Sequence, residues 1–308
     1  MNAFPMQFSP AVRQALEAQT PLVALESTVI THGLPYPQNG QLAQEMETQV
    51  QQGGATPATI AVLDGLIHIG LERAQLERLA RPGGYRKISV RDYAPAIAQK
   101  ATGGTTVAGT LLAAQAAGIQ VFATGGIGGV HRQAPFDISA DLPQLARTPC
   151  VVVCAGAKSI LDLPATLEML ETLGVPVVGY QCDEFPAFYS TTSGLPVSAR
   201  AESAAEIAEM ARAHWGLGLT SAVLVANPPP AEAALPAADV EAAIQQALAE
   251  AQAQHIHGQA VTPFLLSRVS QLTHGVSLQA NLALLLNNAR LAAAIAVQFA
   301  PGLRRAAG

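Results

Sequence analysis

The chain has 308 residues, half of them hydrophobic and only 13% charged, with a formal net charge of −5. That composition supports a large core and excludes intrinsic disorder, and the negative balance excludes nucleic-acid binding through bulk electrostatics. Cys150, Cys154 and Cys182 have no paired spacing and read as free thiols of a reducing cytoplasm. No charged-then-apolar leader opens the sequence. Asn287, Asn288 and Arg290 interrupt the apolar stretch Leu282–Ala300, so no membrane span is expected.

In chain order, Ser9–Gln19 predicts an amphipathic helix with Pro10 in its first turn. Leu22–Leu25 is a short apolar strand that runs into Glu26-Ser27-Thr28, and the proline-rich segment Thr31–Asn39 reads as an ordered loop. A helix follows over Gly40–Gln52. Thr59–Leu63 and Leu66–Gly70 flank Asp64-Gly65, a favoured hairpin turn, so the sheet is expected to be mixed. Arg73–Ala80 predicts a helix, Ile88–Val90 a strand and Arg91–Lys100 a helix. Two apolar strands, Ile119–Ala123 and Cys150–Cys154, each end in small residues, and the helix–glycine–strand cadence returns at Leu167–Gly174 and Val175–Gly179. Tyr180–Gly194 is irregular. Ala201–Trp215 then predicts a helix and Ser221–Ala226 a strand, and Asn227–Pro230 reads as a loop within one domain spanning 1–308. An alanine-rich helix runs to about Gln254, and His255 and His257 read as loop residues. Thr262-Pro263 opens a helix, and a last helix is expected over Leu278–Phe299. The pattern is that of an α/β/α sandwich around a mixed, largely parallel β-sheet.

The chemistry concentrates between Ile119 and Leu163. α/β proteins place their sites just beyond the carboxyl ends of buried strands, and two such ends here deliver a glycine cradle, two aspartates and a lysine. Lysine occurs only at Lys87, Lys100 and Lys158, while arginine supplies the other fourteen cations. A lysine placed after the VVVC strand therefore points to chemistry that arginine cannot do, above all imine formation. Acting near neutrality requires bringing the amine from about 10.4 toward about 7–8, about 4 kcal/mol of differential solvation. Glu26 closes an apolar strand, where burial raises a carboxyl group toward proton donation; a helix cap or a salt bridge is the alternative. Asp137 and Asp141 form an oxygen-rich segment suited to Mg²⁺ or Mn²⁺, with helix capping the competing role for Asp141. Lys87, Arg91 and Arg132 are candidates for an anionic group. The stretch TGGIGGVHR is a poor dinucleotide fingerprint, because His131 stands where the third glycine belongs and no helix follows. Backbone N–H groups lining a small-molecule pocket are the better reading.

Taken together, ALESTVITHGLPYPQN, GATPATIAVLDG, KISVRD, VFATGGIGGVHR, FDISADL, VVCAGAKSILDL, FPAFY and SLQANLALLLNNARLAAAIA resemble the pseudouridine-5′-phosphate glycosidases, the indigoidine synthase A-like family, over roughly residues 20–300. The resemblance implies a cytoplasmic homotrimer, dependent on Mn²⁺ or another divalent cation, that reversibly converts pseudouridine 5′-phosphate and water into uracil and ribose 5-phosphate through a lysine imine. It places the nucleophile at Lys158, the proton donor at Glu26 and the metal-binding carboxylate at Asp137. Substrate contacts fall at Lys87, Val107, Ser139, Ala140 and Asp141. The sequence departs from the family pattern at Val90, where arginine is common, and at Thr273-His274-Gly275. The competing readings are a lysine-dependent aldolase or lyase on another sugar phosphate and a non-catalytic sugar-phosphate-binding protein. A sugar kinase is disfavoured because no Walker motif or GAGD-type anion loop occurs.

Overall fold

The computed structural model describes residues 5–132, 134–254, 256 and 261–300; His255 and His257 lie outside the described residues. The elements begin with β1 (Met6–Phe8), α1 (Pro10–Ala18), β2 (Leu22–Leu25), α2 (Gln38–Gln52), β3 (Thr56–Leu63), β4 (Leu66–Ile69), α3 (Arg73–Ala80), β5 (Arg86–Ile88), α4 (Tyr93–Ala98), β6 (Gly103–Thr105) and α5 (Val107–Ala116). They continue with β7 (Val121–Ala123), β8 (Val130–His131), β9 (Ala134–Ile138), α6 (Asp141–Leu145), β10 (Val151–Cys154), β11 (Leu161–Asp162), α7 (Leu163–Thr172), β12 (Val177–Tyr180) and β13 (Ala199–Ala201). The chain closes with α8 (Ala204–Gly216), β14 (Val223–Ala226), α9 (Ala237–Ala253), α10 (Val261–Leu272) and α11 (Val276–Phe299).

The expected mixed, largely parallel sheet is present between helical layers. Its main path runs β1-β4-β3-β2-β7-β10-β14-β12-β13, with β6 pairing β3 and β5 pairing β6. From β2 through β13 every neighbour on that path is parallel, and β2, β7, β10 and β14 are continuous apolar runs because both of their faces are covered. Antiparallel pairing enters at the β3–β4 hairpin. There Asp64 and Gly65 take φ of 52° and 82°, the two positive values that a two-residue primed turn requires.

The chain leaves β2 toward β3 on one side, and leaves β7 toward β10 on the other. The crevice above the carboxyl ends of β2 and β7 is therefore a topological switch point, where such sheets open a ligand site. Behind the sheet, α11 carries eleven buried residues, among them Leu284, Ala289 and Ile295. Its mean hydropathy reaches 1.5, enough by composition for a membrane span, yet it packs along α2, α8 and β7 as a core helix. One continuous core takes side chains from Val12 to Ala296.

Several bounds differ from expectation. The segment Gly103–Thr105, where no strand is expected from the sequence, is strand β6. Its glycines are required by close approach: a Cβ at Gly104 would strike the Ser27 carbonyl. Val29–Gly33 coils into a π-helical turn within the expected loop. A small antiparallel sheet, β11-β8-β9, sits beside the main one.

Candidate active site

Three neighbouring strand ends build the site. At the end of β2, Glu26 enters the crevice while the next two residues fasten the backbone. The Ser27 hydroxyl donates to the Ile60 carbonyl at 2.6 Å, and the Thr28 hydroxyl to that of Thr105 at 2.6 Å. The motif Glu-Ser-Thr is thus one functional carboxyl followed by two stitches to β3 and β6. At the end of β7, Thr124 donates its hydroxyl to Glu26 Oε1. Burial pushes the Glu26 carboxyl above its ordinary 4.5, opposed by Lys158 and the Thr124 hydrogen bond, with Asp141 adding to the rise. Desolvation dominates here, so Glu26 is disposed to hold a proton.

Beyond their strands, the loops after β7 and β10 continue side by side. Ala155 N–H donates to the Gly125 carbonyl at 2.9 Å, Ile127 N–H to Gly156 at 3.1 Å and Lys158 N–H to Ile127 at 3.0 Å. Gly156 makes this possible. Its φ of +88° lies in the left-handed region, and a Cβ there would collide with the Pro186 carbonyl. The glycine stretch thus serves as the rail along which the Lys158 loop is registered. No helix follows it; the chain enters β8, as the failed dinucleotide fingerprint implies.

Asp141 is the anchor of the opposite wall. Its Oδ1 accepts from Ala108 N–H at the start of α5, and its Oδ2 from Gly128 N–H, each at 2.8 Å. Asp141 is buried. It ties the α5 N-terminus to the glycine loop, so both oxygens are committed to backbone donors. It does not cap its own helix, since Ala140 stands at that position. Asp137 is exposed and opens onto the same cavity. Among the described residues no group of three or more histidines, cysteines, aspartates or glutamates gathers as a metal cage.

The cleft has two lobes that meet at Glu26, Thr28, Lys87 and Lys158. One, of about 600 Å³, brings together every residue singled out by the resemblance: Lys87, Val107, Ser139, Ala140 and Asp141, with Asp137, Glu26 and Lys158. Arg91 stands at its mouth with an exposed side chain. Burial and the neighbouring Lys158 ammonium hold the Lys87 amine below its ordinary value. The other lobe, of about 270 Å³, is walled by Phe188 and Tyr189 and by Leu266, Leu278 and Leu285, with His32, Gln271 and Asn281 among its polar groups.

Sequence reasoning missed most of this second lobe. Its signals were the aromatic FPAFY segment and Asn281, one of several amides within the otherwise apolar last helix. Phe188 adopts φ of +65°, unusual for an aromatic residue, with its ring against Gly126 and edge-on to Tyr189. Arg132 is the one candidate for an anionic group that lines neither lobe. Its guanidinium is bound to Glu241 and to two carbonyls of the Lys158 turn.

An α/β/α sandwich with an amine and a buried carboxyl group at the junction of a polar lobe and a smaller lobe walled by aromatic and leucine side chains defines an enzyme acting on a small molecule. Residues 11–298 match the profile of the family described as indigoidine synthase A like protein. The pseudouridine-5′-phosphate glycosidase of Geobacillus kaustophilus is 56% identical over 96% of this chain and 99% of its own. That of Jannaschia sp. is 55% identical over 95% and 97%. Among solved structures, the prealnumycin C-glycosynthase AlnA in complex with ribulose 5-phosphate superposes with a TM-score of 0.89 at 40% identity, covering 97% of this chain and 98% of that one. The chain belongs to the indigoidine synthase A like, pseudouridine-5′-phosphate glycosidase family.

Proposed function

We propose that the enzyme reversibly cleaves the C–C glycosidic bond of pseudouridine 5′-phosphate, giving uracil and ribose 5-phosphate, through an imine between Lys158 and the ring-opened sugar. The observation that carries this reading is the position of Lys158 and Glu26 where the two lobes meet. A sugar phosphate in the polar lobe and a flat base in the other would join across these two side chains. The relatives named as pseudouridine-5′-phosphate glycosidases support the same reaction.

In pseudouridine the ribose is bonded to carbon 5 of uracil, so protonating a ring nitrogen does not release the base, and the two-carboxylate apparatus of ordinary glycosidases does not suffice. The Lys158 amine attacks C1′. The C1′–N bond forms as the C1′–O4′ bond breaks, and O4′ takes a proton, leaving an open-chain amine. The nitrogen lone pair then forms the C1′=N bond while the electrons of the C1′–C5 bond pass to uracil. Carbon 5 receives a proton from Glu26, which its buried setting keeps available. Water adds to the iminium carbon, ribose 5-phosphate departs and the amine is restored.

In this reading Lys87 holds an anionic oxygen of the substrate as a point charge. At the start of α5 the Val107 N–H is offered to the phosphate, while the next two N–H groups are taken by Asp141 and the Thr106 hydroxyl. Asp137 would hold Mn²⁺ or another divalent cation. A single carboxylate on an open wall suits an ion that keeps several waters and shares phosphate oxygens; when bound it would neutralise phosphate charge. Cytoplasmic residence and a homotrimer complete the proposal.

Incubation with pseudouridine 5′-phosphate and Mn²⁺ should release uracil. Release of another product from another sugar phosphate, without uracil, would transfer the site to an aldolase or lyase. Binding without turnover would make the protein a sugar-phosphate receptor.

A further inference from the structure

Arg132 suits substrate recognition by sequence, yet the structure employs it elsewhere. Its Nε donates to the Leu161 carbonyl at 3.1 Å and Nη2 to the Ser159 carbonyl at 3.0 Å. Nη1 and Nη2 grip the two oxygens of Glu241 at 2.6 and 3.0 Å. Four of its five N–H groups are thereby engaged. Ser159 lies in the turn that immediately follows Lys158, and Leu161 opens β11 at the end of that turn. That turn belongs to no helix, and beyond the single bond from Leu161 N–H to the Lys158 carbonyl at 3.0 Å its polar atoms need outside partners. The Ser159 hydroxyl, buried at 3% exposure, has none among the described residues.

A lysine side chain is long and flexible, so the place where its amine arrives depends on how firmly its root is held. The root of Lys158 is held from one side by Ile127 and from the other by the Arg132 guanidinium. Glu241, on the first turns of α9, accepts the bidentate fork and is drawn below the usual carboxylate range by it. The fork therefore has a fixed orientation that a lysine ammonium at the same position would not reproduce.

We propose that Arg132, clamped by Glu241, is a positioning residue for Lys158: it fixes the turn after the lysine so that the amine is presented at the junction of the two lobes. The proposal rests on Lys158 being the nucleophile. Misplacing a reacting group by about 1 Å costs about a hundredfold in rate, and that is the loss expected when the fork is removed.

The test compares the wild type with Arg132→Ala, Arg132→Lys and Glu241→Gln. Each is assayed for borohydride trapping of ribose 5-phosphate on Lys158, for kcat and KM with pseudouridine 5′-phosphate, and for its thermal unfolding midpoint. In Arg132→Ala the trapping rate and kcat should fall together by about a hundredfold with KM little changed. Millimolar guanidinium chloride should restore part of that rate. Arg132→Lys and Glu241→Gln should each show a smaller loss confined to kcat, and these two decide the matter if Arg132→Ala does not fold. If the wild type labels Lys158 and the variants trap at its rate, or lose only KM, the clamp is refuted while the imine stands. If the wild type labels no lysine, the imine reading fails and the clamp falls with it.

Discussion

The two lobes of the cleft share Glu26, Thr28, Lys87 and Lys158 but are built by opposite means. The polar lobe is made of strand-end loops and helix starts, crosslinked by the Asp141 carboxylate and by the Ser139 hydroxyl, which accepts from Asp141 N–H at 3.2 Å. Its donors are largely backbone groups held by the sheet. The apolar lobe takes its outer wall from α10 and α11, the last two helices of the chain. There α10 is joined to α9 by the solvent-screened pair Arg268–Glu250. In the proposed reading, recognition of the charged sugar phosphate falls on rigid backbone, where reorganisation is small. In the same reading, selection of the base falls on side-chain packing between helices, where it is adjustable without disturbing the sheet.

The largest expected effect falls on what the lobes share. Lys158→Arg keeps the charge and should abolish uracil release and borohydride labelling alike, because guanidinium does not form an imine at neutral pH. Near-wild-type turnover in that variant would end the covalent mechanism. Next comes the anchor of the polar lobe. Asp141→Ala strands two buried backbone N–H groups, each costing about 1–3 kcal/mol. Urea unfolding should register the loss, and KM for ribose 5-phosphate should rise in the synthetic direction.

Asp137→Ala should weaken Mn²⁺ binding by titration calorimetry and reduce turnover without lowering the unfolding midpoint, since the residue is exposed. An unchanged wild-type rate after EDTA treatment and gel filtration would remove the metal from the reaction. In the other lobe, Asn281→Leu should raise KM for uracil about tenfold, the worth of about one hydrogen bond. KM for ribose 5-phosphate should stay constant; a parallel rise in both would mean that the lobes are not separable.

The smallest effect is on stability against pH. The Glu26 carboxyl is raised in the folded chain, so above the ordinary 4.5 the unfolded chain releases its proton first. Folding stability from this group is present below that pH and is lost as pH rises through the folded value. Glu26→Gln should therefore be inactive and yet unfold at a higher temperature than the wild type in alkaline buffer, with the gap closing toward pH 4. A gap that is the same at both pH values would show that the carboxyl is not raised.

Much of this was legible in the sequence where local chemistry dictates local structure. The Asp64-Gly65 turn, the apolar strands ending at Leu25 and Cys154, and a lysine set in an arginine-rich chain each carry their meaning within a few residues. Strand β6 did not, because glycine has no strand preference of its own; close approach to the Arg86 and Ser27 backbone is what demands it there. The strands of the β11-β8-β9 sheet are two to five residues long, too short for any alternation to show.

By itself, then, the sequence determined which chemical groups exist and which strand ends carry them, since periodicity and turn chemistry act over short separations. Only the tertiary structure decided what those groups meet. It turned Arg132 from a substrate candidate into a partner of Glu241, 109 residues away. It spent both oxygens of Asp141 on backbone N–H groups, and it brought Asn281 from the last helix over a crevice opened by the second strand. A buried polar group takes whatever partner the fold delivers, because leaving it unpaired costs more than almost any local preference.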